Sequence, residues 1–197
     1  MRYLLLLCFV LAACSSDSVS SDEQARRAYL GIDPSIAKSI TLGFDGFNTA
    51  SSANISPQMV AGTASGTLTI TGQVDQGSSA NKGMRLLVGM VMYTDGPIMI
   101  DDKGHTISVT YATDADPTTQ PALGMMLKNI PTGTLDGTLM GTYHLTGDIK
   151  GDVTLDLTFT GALMAGSNNT VVRVPGTTHV TGAATSGDGM YMVDLMI

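Results

Sequence analysis

The sequence predicts an all-β protein, an antiparallel β-sandwich of about seven to ten strands, and three observations carry that prediction. From Ser39 onward, apolar and polar residues alternate with period two in one run after another, the spacing that sends successive side chains to opposite faces of a strand. The runs are bounded by Gly, Asn, Asp and Pro, the residues that build turns. Only 14% of the 197 residues are charged, whereas Gly alone contributes 23 and Thr is abundant; helical surfaces draw instead on Glu, Lys, Arg and Ala.

The elements follow in chain order. Arg2 is a single positive charge ahead of the apolar run Tyr3 to Val10, and Leu11-Ala12-Ala13 precede Cys14. A short apolar stretch ending in small residues has the form of a cleavable secretory signal and is too short to span a bilayer. The segment Leu11-Ala12-Ala13-Cys14 resembles the bacterial lipobox. That resemblance implies removal of residues 1–13, diacylation of Cys14 with palmitate-type chains, and membrane lipid as a partner through the acylated Cys14. Ser15 after the cysteine resembles lipoproteins sorted to the outer membrane of the cell envelope. Each buried CH₂ contributes ~0.8 kcal/mol, so two or three acyl chains hold a protein stably on a bilayer. Cys8 falls within the removed peptide, so the mature chain is expected to have neither a free thiol nor a disulfide. As a whole the chain resembles β-rich bacterial lipoproteins, a resemblance that brings no activity and no site residues with it.

Residues 14–38 read as the lipidated Cys, a Ser-rich tether and a short helix. Ser15 to Ser21 is the flexible part. Asp22 to Leu30 is the helix, with Ser21 and Gln24 at capping-box spacing and Gly31 placed to end it. Residues 39–197 read as a single β-domain.

Within it, three segments look alike: Gly66 to Gly72, Gly141 to Gly147 and Gly176 to Gly182. Each is followed by a loop and an apolar strand, at Arg85 to Tyr93, Val153 to Thr160 and Met190 to Ile197. Ile149-Lys150-Gly151-Asp152 is a tight turn between two of these runs, and Asp101-Asp102-Lys103-Gly104 joins a further hairpin. Alternation puts Tyr143 and Leu145 on one face and Thr142, His144 and Thr146 on the other, a dry side and a wet side. In the last run both sides are largely apolar, Tyr191, Val193 and Leu195 against Met190, Met192 and Met196, which predicts a central or doubly covered strand. Asp194 then requires a partner.

The chemistry is sparse. Net charge is −7; removing residues 1–13 takes Arg2 and no acid, leaving nine cations against seventeen acids, a net −8. Nucleic-acid binding needs clustered Lys and Arg, so no nucleic-acid partner is expected. Ser35-Ile36-Ala37-Lys38 has Ser-x-x-Lys spacing but no companion Lys-Thr-Gly or Ser-Asp-Asn, and no hydrolase elbow, zinc-protease, phosphate-loop or dinucleotide motif is present. No enzymatic activity and no cofactor are expected. His144 and His179 occupy equivalent slots in two of the look-alike segments and, with His105, are candidate metal ligands, although no carboxylate stands beside them in sequence. Met90 with Met92, and Met190 with Met192, are pairs two residues apart whose thioethers suit soft metals such as Cu(I); their apolar neighbours predict core packing. The acidic turns at Asp101-Asp102 and Asp114 to Asp116 are read as turn chemistry. The function these features predict is a membrane-anchored, non-enzymatic envelope protein with a structural or protein-interaction role among other envelope proteins. The alternative is a carrier of a small apolar ligand or a metal through Met and His. A Met-lined cavity favours the carrier; a closed core favours the first reading.

Overall fold

A capping box opens the first element. Ser21 Oγ accepts from the Gln24 backbone N–H at 3.2 Å, and Gln24 Oε1 reaches back to accept from the Ser20 N–H at 2.7 Å. One orphan donor of the helix start, the Gln24 N–H, is thereby satisfied, and the residue before the N-cap is tied back to the first turn. In the computed structural model, which describes residues 19–167 and 170–197, helix α1 spans Asp22–Thr49. The expected signal peptide, residues 1–13, and Cys14 lie outside the described residues. Among the described residues, no helix is long and apolar enough to cross a membrane.

The helix is 28 residues long and continues past Gly31, where a short helix was expected to stop. Gly31 is a packing residue rather than a terminator. A Cβ at this position would lie 2.0 Å from Tyr111 Oη, and that hydroxyl donates to the Ala28 carbonyl at 3.0 Å. Pro34 lies in the helix interior, where a proline removes one backbone bond without here ending the helix. The helix also takes residues 39–49, which alternation assigns to the first strand. Ile32, Ile36, Ile40 and Gly43 recur at helical spacing and are all buried on one face, so burial against the sheet decides between two periodicities that the local sequence leaves competing. The boundary drawn at residues 38 and 39 therefore falls inside one continuous element.

Twelve strands follow among the described residues: β1 (Asn54–Ala61), β2 (Ser65–Val74), β3 (Lys82–Thr94), β4 (Ile98–Met99), β5 (Thr106–Ile107), β6 (Val109–Ala112), β7 (Ala122–Lys128), β8 (Thr134–Gly147), β9 (Gly151–Ala165), β10 (Val171–Arg173), β11 (His179–Ser186) and β12 (Gly189–Met196). Every pairing is antiparallel, so the all-β antiparallel class holds. Ten strands form one sheet ordered β1-β2-β3-β6-β8-β9-β11-β12, with β7 sharing the β6 position between β3 and β8 and with β10 on β9; β4 and β5 pair separately. All three look-alike segments enter this sheet, each feeding the hairpin read from the sequence.

The end glycines of these segments explain the likeness. Their φ values run from 72° at Gly66 to 145° at Gly141, all in the region open to glycine. At Gly182 (φ 143°) a Cβ would meet the Asp156 carbonyl oxygen at 2.1 Å. Such glycines let the strands bend tightly. The sheet curls accordingly: its two edge strands, β1 and β12, both touch α1, which fills the concave side and gives the molecule its sandwich-like layering. Leu68, Ile70, Leu86, Leu139, Leu155, Leu157, Phe159, Val180 and Val193 are buried in this core with the helix residues Tyr29, Ile32, Ile36 and Ile40. Each such side chain contributes about 1.5–3 kcal/mol by leaving water.

β12 is an edge strand, not the central or doubly covered one its two apolar faces suggest. Val193 is buried, whereas Met190, Met192 and Met196 face outward and are exposed.

Ala is a better helix former than Gly by ~1 kcal/mol, yet Gly31→Ala is expected to lower stability by about 1–3 kcal/mol in urea unfolding, because overpacking against Tyr111 wins. Adding Tyr111→Phe should recover part of the loss. A stabilised Gly31→Ala chain would contradict the close seating of α1.

Candidate functional site

Two polar clusters, one buried and one part-buried, join α1 to the sheet, and both have the composition Tyr–Asp–cation. On one side Asp33, 7% exposed, accepts from Arg173 at 2.7 and 2.8 Å and from Tyr29 Oη at 2.9 Å. Burial, followed by the Asp33 charge, pushes the Tyr29 hydroxyl well above its ordinary pKa, so it stays a donor. On the other side Asp95 accepts from Lys38 Nζ and Tyr93 Oη, both at 2.6 Å, and from the Thr63 N–H at 2.8 Å. Burial alone would raise the Asp95 carboxyl; the bonds from Lys38, Tyr93 and Thr63 outweigh it and hold the carboxyl below its usual range. A cavity of about 360 Å³ lies beside these clusters, lined by Leu30, Asp33, Pro34, Asp95, Ile98 and Met99 among others. The carboxylates in its wall already hold their cations and hydroxyls. The clusters therefore fasten the helix to the sheet. Ser35 is buried and Lys38 is committed to Asp95, so their Ser-x-x-Lys spacing creates no nucleophile.

The three histidines are each paired with a carboxylate, contrary to the reading that none stands beside them. His105 Nδ1 lies 2.5 Å from Asp101 Oδ2. His144 lies between Asp152, 2.7 Å from Nδ1, and Asp114, 3.2 Å from Nε2. His179 Nε2 lies 2.8 Å from Asp194. The signal for one pair was present in the sequence: a turn at 148–150 sets β8 against β9 so that His144 faces Asp152 directly. The bonds to Asp152 and Asp114 raise the His144 pKa above its ordinary value. Both ring nitrogens of this imidazole thus face carboxylates. Among the described residues, no group of three or more His, Cys, Asp or Glu is placed to hold a metal ion.

The methionines divide by face. Met84, Met90 and Met125 are buried, whereas Met92, Met190 and Met192 are 56%, 70% and 57% exposed. The core packing expected for the pairs therefore holds for Met90 alone. Met92 leaves the Met90 face because β3 bulges there: Met92 has φ 47°, and the β2–β3 register slips between Ser65 and Thr67. Met190 and Met192 do share a face, the outward one. That face is ordered in cross-strand rows. Thr138, Thr158 and Thr181 are paired in turn across β8, β9 and β11, and Thr142, Thr154 and Thr185 form a second row. Between them runs Met140–Asp156–Ala183–Met192. Met140 and Asp156 belong to this face but carry no motif; only strand register brings them together.

Asp101 and Asp116 spend their carboxylates on nearby backbone N–H groups, of Lys103 and His105 and of Thr118 respectively, in keeping with turn chemistry. No family model, no curated protein and no solved structure matches this chain.

Two outcomes are expected. Arg173→Met strands the Asp33 charge and should cost about 3–5 kcal/mol, while the double change with Asp33→Leu should restore most of it; equal losses in single and double variants in urea unfolding would contradict the pairing. The raised His144 pKa makes the protonated ring a stabilising group: its contribution is fully present below about pH 6.5, fades as pH rises through the folded-state pKa, and is gone above it. NMR titration should give a His144 pKa that falls in Asp152→Asn; an unchanged value in that variant would refute the pairing.

Proposed function

We propose that the chain is a membrane-anchored envelope lipoprotein, held by acyl chains on Cys14 at the outer membrane and serving a non-enzymatic, protein-binding role. The observation that carries the protein-binding part is the distribution of methionine. Nine of the thirteen are exposed large apolar side chains, and all nine stand on strands, facing outward rather than around a shared cavity. A carrier of an apolar ligand would need them to converge, and the cavity beside Asp33 and Asp95 has only Met99 in its wall. Unbranched thioether side chains suit a surface that adapts to another protein.

The anchor rests on Leu11-Ala12-Ala13-Cys14. Chain geometry is compatible with it: Val19, five residues after Cys14, is buried with its N–H 3.4 Å from Ser186 Oγ, so the β-domain would sit close to the bilayer.

Metabolic labelling with a fatty-acid probe tests the reading. The wild-type chain should take label and fractionate with membrane, and Cys14→Ser should lose both. Unchanged fractionation in the variant would remove the anchor and leave a secreted β-protein.

A further inference from the structure

We infer that the outward face of β8, β9, β11 and β12 is a docking surface for a basic amphipathic protein segment, one that interleaves Lys or Arg with apolar side chains. The inference deepens the protein-binding reading above by naming the surface and the chemistry of its partner.

The centre of the surface is the row Met140–Asp156–Ala183–Met192, set between rows of threonine. Met140 is 51% exposed, Met190 lies one residue pair along β12 from Met192, and Met196 completes the apolar edge at 60%. Neighbouring strands are ~4.8 Å apart, so the row is roughly 14 Å across. Threonine is the ordinary occupant of the wet side of this sheet. Methionine there gives up burial and gains nothing within the chain.

The charges on the same face are acidic. Asp136, Asp152, Asp156 and Asp194 lie on it; Lys128, on the neighbouring β7, is bound to Asp136 at 2.7 Å, and Arg26, which shares a surface pocket with Met192 and Asp194, is held by Glu23 at 2.7 Å. His144 and His179 face Asp152 and Asp194. Asp156 has no cation across from it; its cross-strand neighbours are Met140 and Ala183.

Charge selects among occupants. A second copy would press acid against acid, and its net −7 would oppose association at longer range. Phosphates of anionic lipid or nucleic acid would be repelled in the same way. A purely apolar partner would cover Asp156 and leave a desolvated carboxylate without a counter-charge, which is costly. A segment alternating basic and apolar residues places a cation on Asp156 while its apolar groups meet Met140 and Met192. β12 also limits the mode of docking, because the Met192 N–H already donates to Asp22 Oδ1 at 2.8 Å. The partner therefore lies across the face rather than extending the sheet at that point.

The test uses the full chain in neutral detergent micelles with ¹³C-methyl methionine, titrated with three ten-residue peptides: Lys/Leu, Lys/Ser of equal charge, and Glu/Leu. The Lys/Leu peptide should shift the Met140, Met190 and Met192 methyl signals and leave those of buried Met84, Met90 and Met125 in place. Its binding should weaken about fivefold in Asp156→Asn and in Met140→Ser, and fall with added salt. Unmoved buried-methyl signals in these variants establish that they fold. Three results would overturn the inference: equal binding of Lys/Ser, which is plain charge adsorption; equal binding of Glu/Leu, which is an apolar patch blind to charge; or no shift at the outward methyls. Failure of Cys14 labelling with these shifts intact would remove the anchor alone, and labelling without the shifts would remove the surface alone.

Discussion

The seating of α1 against the inner face of the sheet is the constraint to which the rest of the structure answers. An open antiparallel sheet ending at β1 and β12 presents one apolar face that water must not reach. Here that face is lined by Leu, Ile, Val and Phe from strands across the sheet, and the helix covers it. Close approach requires small residues on the helix. A Cβ at Gly43 would stand 2.7 Å from Met84 Sδ and one at Gly46 2.9 Å from Ile55 Cβ, as at Gly31 against Tyr111. A helix with so many small residues brings less apolar area than a leucine-rich one. The Asp33–Arg173 pair and the part-buried Lys38–Asp95 pair fix its position where shape alone would allow sliding.

Other features follow from this seating. The strands must bend around a cylinder, so glycines with positive φ recur at the ends of the look-alike segments. The inner face is filled by the helix and the sheet, so the described methionines beyond the three packed in the core stand outward. Asp22, at the helix start, reaches the edge of β12 and occupies one backbone donor there. The opposite edge is broken at Ser56 and Pro57, between paired residues Ile55 and Gln58. Both devices discourage edge-to-edge association.

Local chemistry made much of this legible. The Ser21–Gln24 box marked the helix start because capping is decided within four residues. The hairpins at 101–104 and 149–152 were legible because Asp and Gly determine turn geometry without help from afar. The helix end was not. Gly31 carries the same signal whether it terminates a helix or admits Tyr111, and Ile40, Leu42 and Phe44 alternate as a strand would. The outward methionines were hidden for a related reason: β12 has apolar residues on both sides, and only its place at the sheet edge decides which side is wet. Asp156 gave no signal, since its meaning comes from Met140 on one neighbouring strand and Ala183 on the other. The histidine pairs lay between these cases, with His144–Asp152 deducible from the turn and Asp114 brought in by the loop after β6.

Native-state hydrogen exchange tests the central claim most directly. If α1 is integral to the core, amides in the middle of α1, near Ile36 and Ile40, should exchange with the same opening free energy as those of β8 and β9, all at the global value and with the same denaturant dependence. A lower opening free energy for the helix, with the sheet still protected, would mean that the sheet stands without it and would contradict the account.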